Sequence, residues 1–170
     1  MDLGKIVKYE DYAITEEPYY ETIDSEVIDF EVAFRIKRPL SLIGPTGCGK
    51  TTLATYMAYY LRQKLTTIVK SDGGASMVQA DLGKAEQQQN GAIAFPYIEI
   101  PCHEDLTETD LIGRYGLNDV WLPGPLYLGA KTGGIVVLDE VVEARKDAIV
   151  LTHGPTDDRR VLRVTKKGEV

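Results

Sequence analysis

Residues 44–51 read Gly44-Pro45-Thr46-Gly47-Cys48-Gly49-Lys50-Thr51. This stretch fits the phosphate-binding loop pattern G-x-x-x-x-G-K-[ST] at every fixed position. The apolar run at 39–43 predicts a short buried strand before the loop, and apolar positions spaced by three and four residues over 50–64 predict a helix after it. A strand, a glycine-rich loop and a helix in this order are typical of an α/β fold that binds phosphate.

The chemistry of the loop follows from its residue types. The glycines let the backbone wrap around a phosphate group, and the loop and helix N–H groups point at the anion. Lys50 supplies positive charge at the β- and γ-phosphates, and the Thr51 hydroxyl is a ligand for Mg²⁺. We therefore predict that the loop binds a nucleoside triphosphate together with Mg²⁺. The predicted cofactor-binding residues are Gly44, Pro45, Thr46, Gly47, Cys48, Gly49, Lys50, Thr51 and Thr52. A turn that merely links strand to helix is the alternative, but it needs neither the lysine nor the threonine.

A second motif is the apolar strand at 135–138, which runs directly into Asp139 and Glu140. Acids at the carboxyl end of a parallel strand point into the crevice where α/β sheets bind ligands. We predict Thr51 and Asp139 as the Mg²⁺ residues. Glu140, which would activate the attacking water, and Lys50 are the predicted catalytic residues. An acidic helix cap is the alternative. Because a phosphate-transferring kinase needs no water activator, Glu140 favours hydrolysis.

Composition narrows the class of protein further. The chain has 170 residues, 44% of them hydrophobic, and a net charge of −7. The negative charge argues against a nucleic-acid-binding surface. The two cysteines suit a reducing compartment, no signal peptide is recognisable at the N-terminus, and no apolar run is long enough to span a bilayer. These features predict a cytoplasmic protein without membrane insertion.

The predicted organisation is an N-terminal arm at 1–23 followed by one domain at 24–170, with an insert at about 66–95. A helix is predicted from residue 24 or 25 to 37, and a short strand at 66–69 within the insert. The other predicted elements are a possible helix at 76–89, strands at 97–100 and 135–138, helices at 107–112, 126–131 and 142–151, a loop or small hairpin at 115–125, and the first arm of a hairpin at 161–164.

Longer blocks carry a resemblance to a known family. They are GPTGCGKTTL at 44–53, CHEDLTETDLIGRY at 102–115, GPLYLGAKTGG at 124–134, LDEVVEARKD at 138–147 and HGPTDDRRVLRV at 153–164. The chain resembles the CbbQ/NirQ/NorQ group of MoxR-type AAA+ ATPases, with the gas-vesicle protein GvpN as a more distant relative. The resemblance implies a P-loop NTPase core with three αβα layers and a mostly parallel sheet.

The resemblance also implies function. Such proteins form hexameric rings and work with a partner that carries a von Willebrand factor A domain. They use ATP hydrolysis to remodel or activate a metalloenzyme complex such as Rubisco or nitric oxide reductase. The resemblance places residues 114–123 at the pore of the ring, with Trp121 or Tyr115 as the aromatic residue of this loop. The alternative is that Trp121 packs under the loop.

The chain departs from the family pattern in two places. The sequences of the family lack the insert at 66–95. They also continue beyond the position that matches residue 170, with a sensor residue, an arginine finger and a C-terminal helical lid. An arginine finger is worth on the order of 10³–10⁵ in rate, so slow hydrolysis by the 170-residue chain is expected. The alternatives to an ATP-hydrolysing chaperone-like subunit are a non-hydrolysing nucleotide-binding interaction module and a P-loop kinase. The sequence does not name the target enzyme.

Overall fold

The computed structural model describes residues 12–72 and 95–167. The helix predicted at 76–89 and most of the predicted insert lie outside the described residues. The helices are α1 (Glu26–Arg35), α2 (Lys50–Asp72), α3 (Glu108–Ile112), α4 (Pro125–Thr132) and α5 (Lys146–Thr156). The strands are β1 (Tyr97–Pro101), β2 (Gly113–Tyr115), β3 (Trp121–Pro123) and β4 (Ile135–Asp139), and 3₁₀ turns lie at Leu117–Asp119 and Val141–Glu143.

The chain divides into two compact units. The first comprises Met1–Tyr97 and Thr132–Ile135, and the second comprises Ile98–Lys131 and Val136–Val170. Helix α2 supplies most of the buried core of the first unit, because its apolar side chains recur every three or four residues and share one face. These buried residues are Leu53, Ala54, Met57, Ala58, Leu61 and Leu65. The predicted helix after the phosphate loop is confirmed.

Helix α1 packs on α2 within the first unit through both charged and aromatic contacts. The Lys64 ammonium lies 2.6 Å from the Glu31 carboxylate, which also pairs with Arg35 one turn along α1. The Phe34 ring meets the buried Phe95 ring edge to face, with centroids 5.7 Å apart. No α1 side chain is fully buried, and Ile28 is 65% exposed. The predicted partly apolar face of α1 therefore packs against the rest of the unit only along one edge.

The strand predicted at 39–43 is wrong for the described structure. These residues have no regular secondary structure, and the side chain of Ile43 is 93% exposed. A strand forms only when a neighbouring strand accepts its hydrogen bonds, and no residue among those described hydrogen-bonds the backbone at 40–43. The segment therefore has the composition of a strand but forms none, because no neighbouring strand pairs with it among the described residues.

The short strand predicted at 66–69 is also wrong, because helix α2 runs without a break to Asp72. The Thr66 and Thr67 hydroxyls donate to the carbonyls of Arg62 and Gln63, four residues earlier. This bonding pattern lets β-branched threonines continue a helix that already has a buried apolar face. Tertiary burial upstream therefore overrides the local strand preference.

Strands β1 and β4 pair in a two-stranded sheet. The Ile135 N–H donates to the Pro96 carbonyl and the Cys102 N–H donates to the Asp139 carbonyl, so the two strands run in the same direction. Parallel pairing confirms the expected sheet type and the α/β P-loop NTPase fold. Strand β4 is only partly buried. Only Ile135 is buried, since β4 has a single strand neighbour in the described part of the chain.

The predicted hairpin at 115–125 is confirmed in the second unit. Strands β2 and β3 pair antiparallel, with Gly113 opposite Pro123 and Tyr115 opposite Trp121. Helix α3 precedes the hairpin and begins after Thr107, whose backbone N–H and hydroxyl both donate to the Asp110 carboxylate. The bond from the Thr107 N–H to the carboxylate three residues along is one half of a capping box.

The region after β4 differs from the prediction. A single helix at 142–151 was expected, but a 3₁₀ turn at Val141–Glu143 comes first and α5 then runs from Lys146 to Thr156. Residues 161–163 form no strand, and Val164 makes only an isolated bridge. Among the described residues, no helix combines the length and hydropathy needed to cross a bilayer.

Candidate nucleotide-binding site

The phosphate loop belongs to the first unit and leads directly into helix α2. Gly47 and Gly49 have φ angles of 82° and 89°, a backbone conformation that other residues rarely adopt. The Leu53 N–H donates to the Gly49 carbonyl at 2.8 Å, so α2 begins at the end of the loop. The first N–H groups of a helix have no carbonyl partner within it. The sequence thus folds locally into a loop whose helix end offers N–H donors to an anion.

Lys50 folds back over this loop. Its ammonium donates to the carbonyls of Gly44 and Pro45, at 2.9 Å each, and lies 3.9 Å from the Cys48 sulfur. The side chains of Thr51 and Thr52 are exposed at the start of α2. All nine residues predicted to bind the cofactor therefore lie on one continuous loop and helix start. The lysine is already positioned beside the loop.

A pocket of about 330 Å³ adjoins the loop within the first unit. Its walls include Tyr20, Glu26, Leu42, Cys48 and Lys50. Small-ligand pockets typically occupy about 300–1,000 Å³, so this volume is large enough for a nucleobase. Its apolar wall at 40–43 is the segment that forms no strand. The pocket and the phosphate loop therefore adjoin within the first unit.

Tyr20 is held in this pocket by two contacts. Its ring stacks on that of Tyr56 with centroids 5.4 Å apart, and its hydroxyl donates to the Glu26 carboxylate at 3.0 Å. The backbone N–H groups of Ile23, Glu26 and Asp24, together with the Tyr20 hydroxyl, lower the pKa of Glu26 to about 2. Burial, followed by the bond to Glu26, raises the pKa of Tyr20. The sequence analysis placed Tyr20 in the N-terminal arm and missed this position beside the phosphate loop.

Asp139 and Glu140 lie in the second unit, at the end of β4. The Glu140 backbone N–H donates to the Asp139 carboxylate at 3.1 Å. Burial raises the pKa of the Cys102 thiol, and the negative charge of Asp139 raises it further. The Asp139 carboxylate is therefore close to the end of β1, where parallel strands end together.

Glu140 adopts the left-handed conformation, with φ of 50° and ψ of 43°, and its side chain is exposed. Strain of this kind concentrates at functional sites. The backbone turns sharply here, since the Glu143 N–H donates back to the Glu140 carbonyl. The strained conformation had no signal in the sequence beyond the position of Glu140 after a strand.

Comparison with known proteins gives the family. The sequence model described as "AAA domain (dynein-related subfamily)" matches residues 83–170. The chain is 39% identical to Protein CbbQ of Hydrogenophilus thermoluteolus over 162 residues, which are 94% of this chain and 49% of that protein. It is 38% identical to Protein NorQ of Paracoccus denitrificans over 166 residues, which are 96% and 50% of the two chains.

A third relative is the denitrification regulatory protein NirQ of Pseudomonas aeruginosa, 37% identical over 155 residues, which are 89% of this chain and 47% of that protein. The chain belongs to the dynein-related AAA domain family. Its similarity to CbbQ, NorQ and NirQ confirms the group that the sequence blocks resemble. The chain spans about half the length of these relatives. Membership in an AAA family supports nucleotide binding and an ATPase in general.

Proposed function

We propose that this chain is the nucleotide-binding part of an ATPase that couples Mg²⁺-dependent ATP hydrolysis to remodelling or activation of a partner enzyme complex. The observation that carries this proposal is the phosphate loop with Lys50 folded over it at the N-terminus of α2. Helix N-termini and glycine loops bind anions, and a lysine ammonium adds a mobile charge at the terminal phosphates.

The proposed roles follow from the chemistry of each residue. The loop residues 44–52 bind the phosphates of ATP. Mg²⁺ would be held by the Thr51 hydroxyl and by Asp139, two oxygen ligands of the kind that this ion prefers. Glu140 orients or deprotonates the water that attacks the γ-phosphate.

The proposed assembly and partners are those of the CbbQ, NorQ and NirQ group. We propose a hexameric ring that works in the cytoplasm with a von Willebrand factor A-domain protein on a metalloenzyme such as Rubisco or nitric oxide reductase. Support comes from the relatives, one of which is named as a denitrification regulatory protein. Size determination by light scattering with and without ATP and Mg²⁺ tests the ring. A particle that stays monomeric under both conditions contradicts it.

Hydrolysis is tested with Glu140→Gln, which removes the proposed water activator and keeps the size of the side chain. The variant is expected to bind ATP as tightly as the wild type and to release phosphate more slowly by about 10²-fold or more, the range of general-base catalysis. Glu143→Gln is the matched control, because Glu143 is also exposed and lies three residues further along. It is expected to leave both quantities unchanged.

The same experiment separates the other functions. If the wild type binds ATP but Glu140→Gln does not change phosphate release, Glu140 is not the water activator. The non-hydrolysing interaction module then becomes the better description if no acceptor is phosphorylated. Transfer of the γ-phosphate to an acceptor at a rate independent of Glu140 would indicate a kinase.

A further inference from the structure

One lysine among aromatic rings contacts the β2–β3 hairpin at Trp121, the residue of β3 nearest the turn. The Lys167 ammonium donates to the Tyr127 hydroxyl at 2.9 Å. The same nitrogen lies 5.2 Å from the centroid of the Tyr127 ring and 5.9 Å from that of the Trp121 ring. Both distances are within the range of a cation–π attraction. A single cation therefore contacts helix α4 through Tyr127 and strand β3 through Trp121.

Trp121 depends on its neighbours for this position. Its ring meets those of Tyr115 and Tyr127 edge to face, with centroids 5.1 Å and 6.0 Å away. Its indole N–H is buried and finds no hydrogen-bond acceptor within the described part of the chain. A buried donor without an acceptor is destabilising, so the aromatic and cationic contacts have to offset that cost. Removal of the cation should shift the balance towards a displaced ring.

The tip of the hairpin, which directly precedes Trp121, is apolar and exposed. Leu117 is 90% exposed and Val120 is 56% exposed. Because Trp121 directly follows Val120, its contacts with Lys167 and Tyr127 act on the direction in which this tip projects. Trp121 itself packs inward, as one of the two sequence interpretations expected, so it is not the exposed residue of the hairpin.

We propose that Lys167 is a positioning residue that locks the β2–β3 hairpin against helix α4 and so fixes where its apolar tip projects. Lys167 is anchored to the chain after α5, since its backbone N–H donates to the carbonyl of Val164, a residue with 3% exposure. A displacement of the segment at 164–167 withdraws the ammonium from both rings and releases the hairpin. The lock thereby connects the region that follows α5 to the tip. It goes beyond the proposed function, because it requires no nucleotide.

Tryptophan fluorescence monitors this contact directly, because Trp121 is the only tryptophan in the sequence. We would measure acrylamide quenching of the Trp121 fluorescence and the rate of trypsin cleavage after Arg114, an exposed residue of β2. Lys167→Met keeps the length of the side chain without its charge. Loss of a cation–π contact and of one hydrogen bond predicts an increase of about tenfold in the open fraction and hence in cleavage.

Two variants serve as controls. Lys166→Met removes the charge of the exposed neighbour and is expected to change neither quenching nor cleavage. Lys167→Arg keeps the cation and is expected to restore most of the protection. Equal quenching and cleavage in Lys167→Met and wild type, with identical circular dichroism, would overturn the proposal. If Lys167→Met fails to fold, Tyr127→Phe removes only the hydroxyl contact: a smaller rise in cleavage supports the lock, and no rise contradicts it.

Discussion

The ammonium nitrogen of Lys50 lies 2.9 Å from the carbonyl oxygen of Gly44, the first residue of the phosphate loop. A second carbonyl, that of Pro45, accepts from the same nitrogen at 2.9 Å. These two bonds go to neutral oxygens, whereas bonds between an ammonium and a phosphate are charge-assisted and stronger. We therefore expect the Lys50 ammonium to exchange these two carbonyl partners for phosphate oxygens when a phosphate binds.

Lys50→Ala is expected to weaken ATP binding by at least about tenfold, since a hydrogen bond to a charged group contributes about 1.5–3 kcal/mol. Isothermal titration calorimetry with Mg²⁺ and ATP measures the change. Lys146→Ala removes an exposed lysine from the start of α5 and serves as the control. Equal affinities of Lys50→Ala and the control would rule out Lys50 as a phosphate ligand.

Tyr20→Ala is expected to weaken ATP binding by about tenfold or more, because stacking of a base on an aromatic side chain contributes about 1–3 kcal/mol. Tyr19→Ala is the matched control, since the neighbouring Tyr19 is 85% exposed and does not line the pocket. Inorganic tripolyphosphate carries no base, so Tyr20→Ala should bind it as well as the wild type does. A loss of affinity for both ligands would instead indicate damage to the phosphate loop.

The Glu26 carboxylate makes stability depend on pH. Its pKa falls from 4.5 to about 2 on folding, chiefly through backbone N–H donors near Ile23. A carboxylate with a depressed pKa stabilises the fold above its unfolded pKa, and this contribution is lost as the pH falls through the folded value. Wild type should therefore exceed Glu26→Gln in stability at pH 7, with the difference shrinking between about pH 4.5 and pH 2. Urea denaturation followed by circular dichroism measures both; a difference that does not vary with pH would contradict this assignment.

Gly129 allows helix α4 to lie directly on strand β4. A Cβ at this position would overlap the Cγ2 methyl of Val136. Gly129→Ala is therefore expected to destabilise the protein by about 1–3 kcal/mol, the usual cost of overpacking. The double variant Gly129→Ala with Val136→Ala removes the overlapping methyl and should be more stable than Gly129→Ala alone. Thermal denaturation of the wild type, the two single variants and the double variant gives the coupling free energy between the two positions. Additive effects of the two substitutions would show that the two residues do not contact each other.

The parts of the fold that the sequence predicted best are those in which a local pattern has a single physical meaning. The glycines and Lys50 predict the loop because no ordinary turn needs them together. Helix α2 follows from apolar spacing alone, and β4 from an apolar run that ends in Asp139 and Glu140. These features depend on neighbours only a few residues away.

The features that were missed depend on partners distant in the chain. Segment 39–43 has the composition of a strand, but hydrogen bonds from another strand decide whether it becomes one. Tyr20 lines the pocket, where its ring stacks on that of Tyr56 on α2 and its hydroxyl bonds to Glu26. The left-handed backbone of Glu140 likewise depends on the turn that follows β4 rather than on its residue type. No local pattern encodes such relations.

The length of helix α2 has a consequence for where this protein can vary. Its 23 residues form a continuous rod of about 34 Å, with the phosphate loop at one end and Asp72 at the other. Asp72 therefore lies at the end of the rod remote from Lys50. A change of chain length made directly after Asp72 is therefore made at the end of the rod farthest from the phosphate loop.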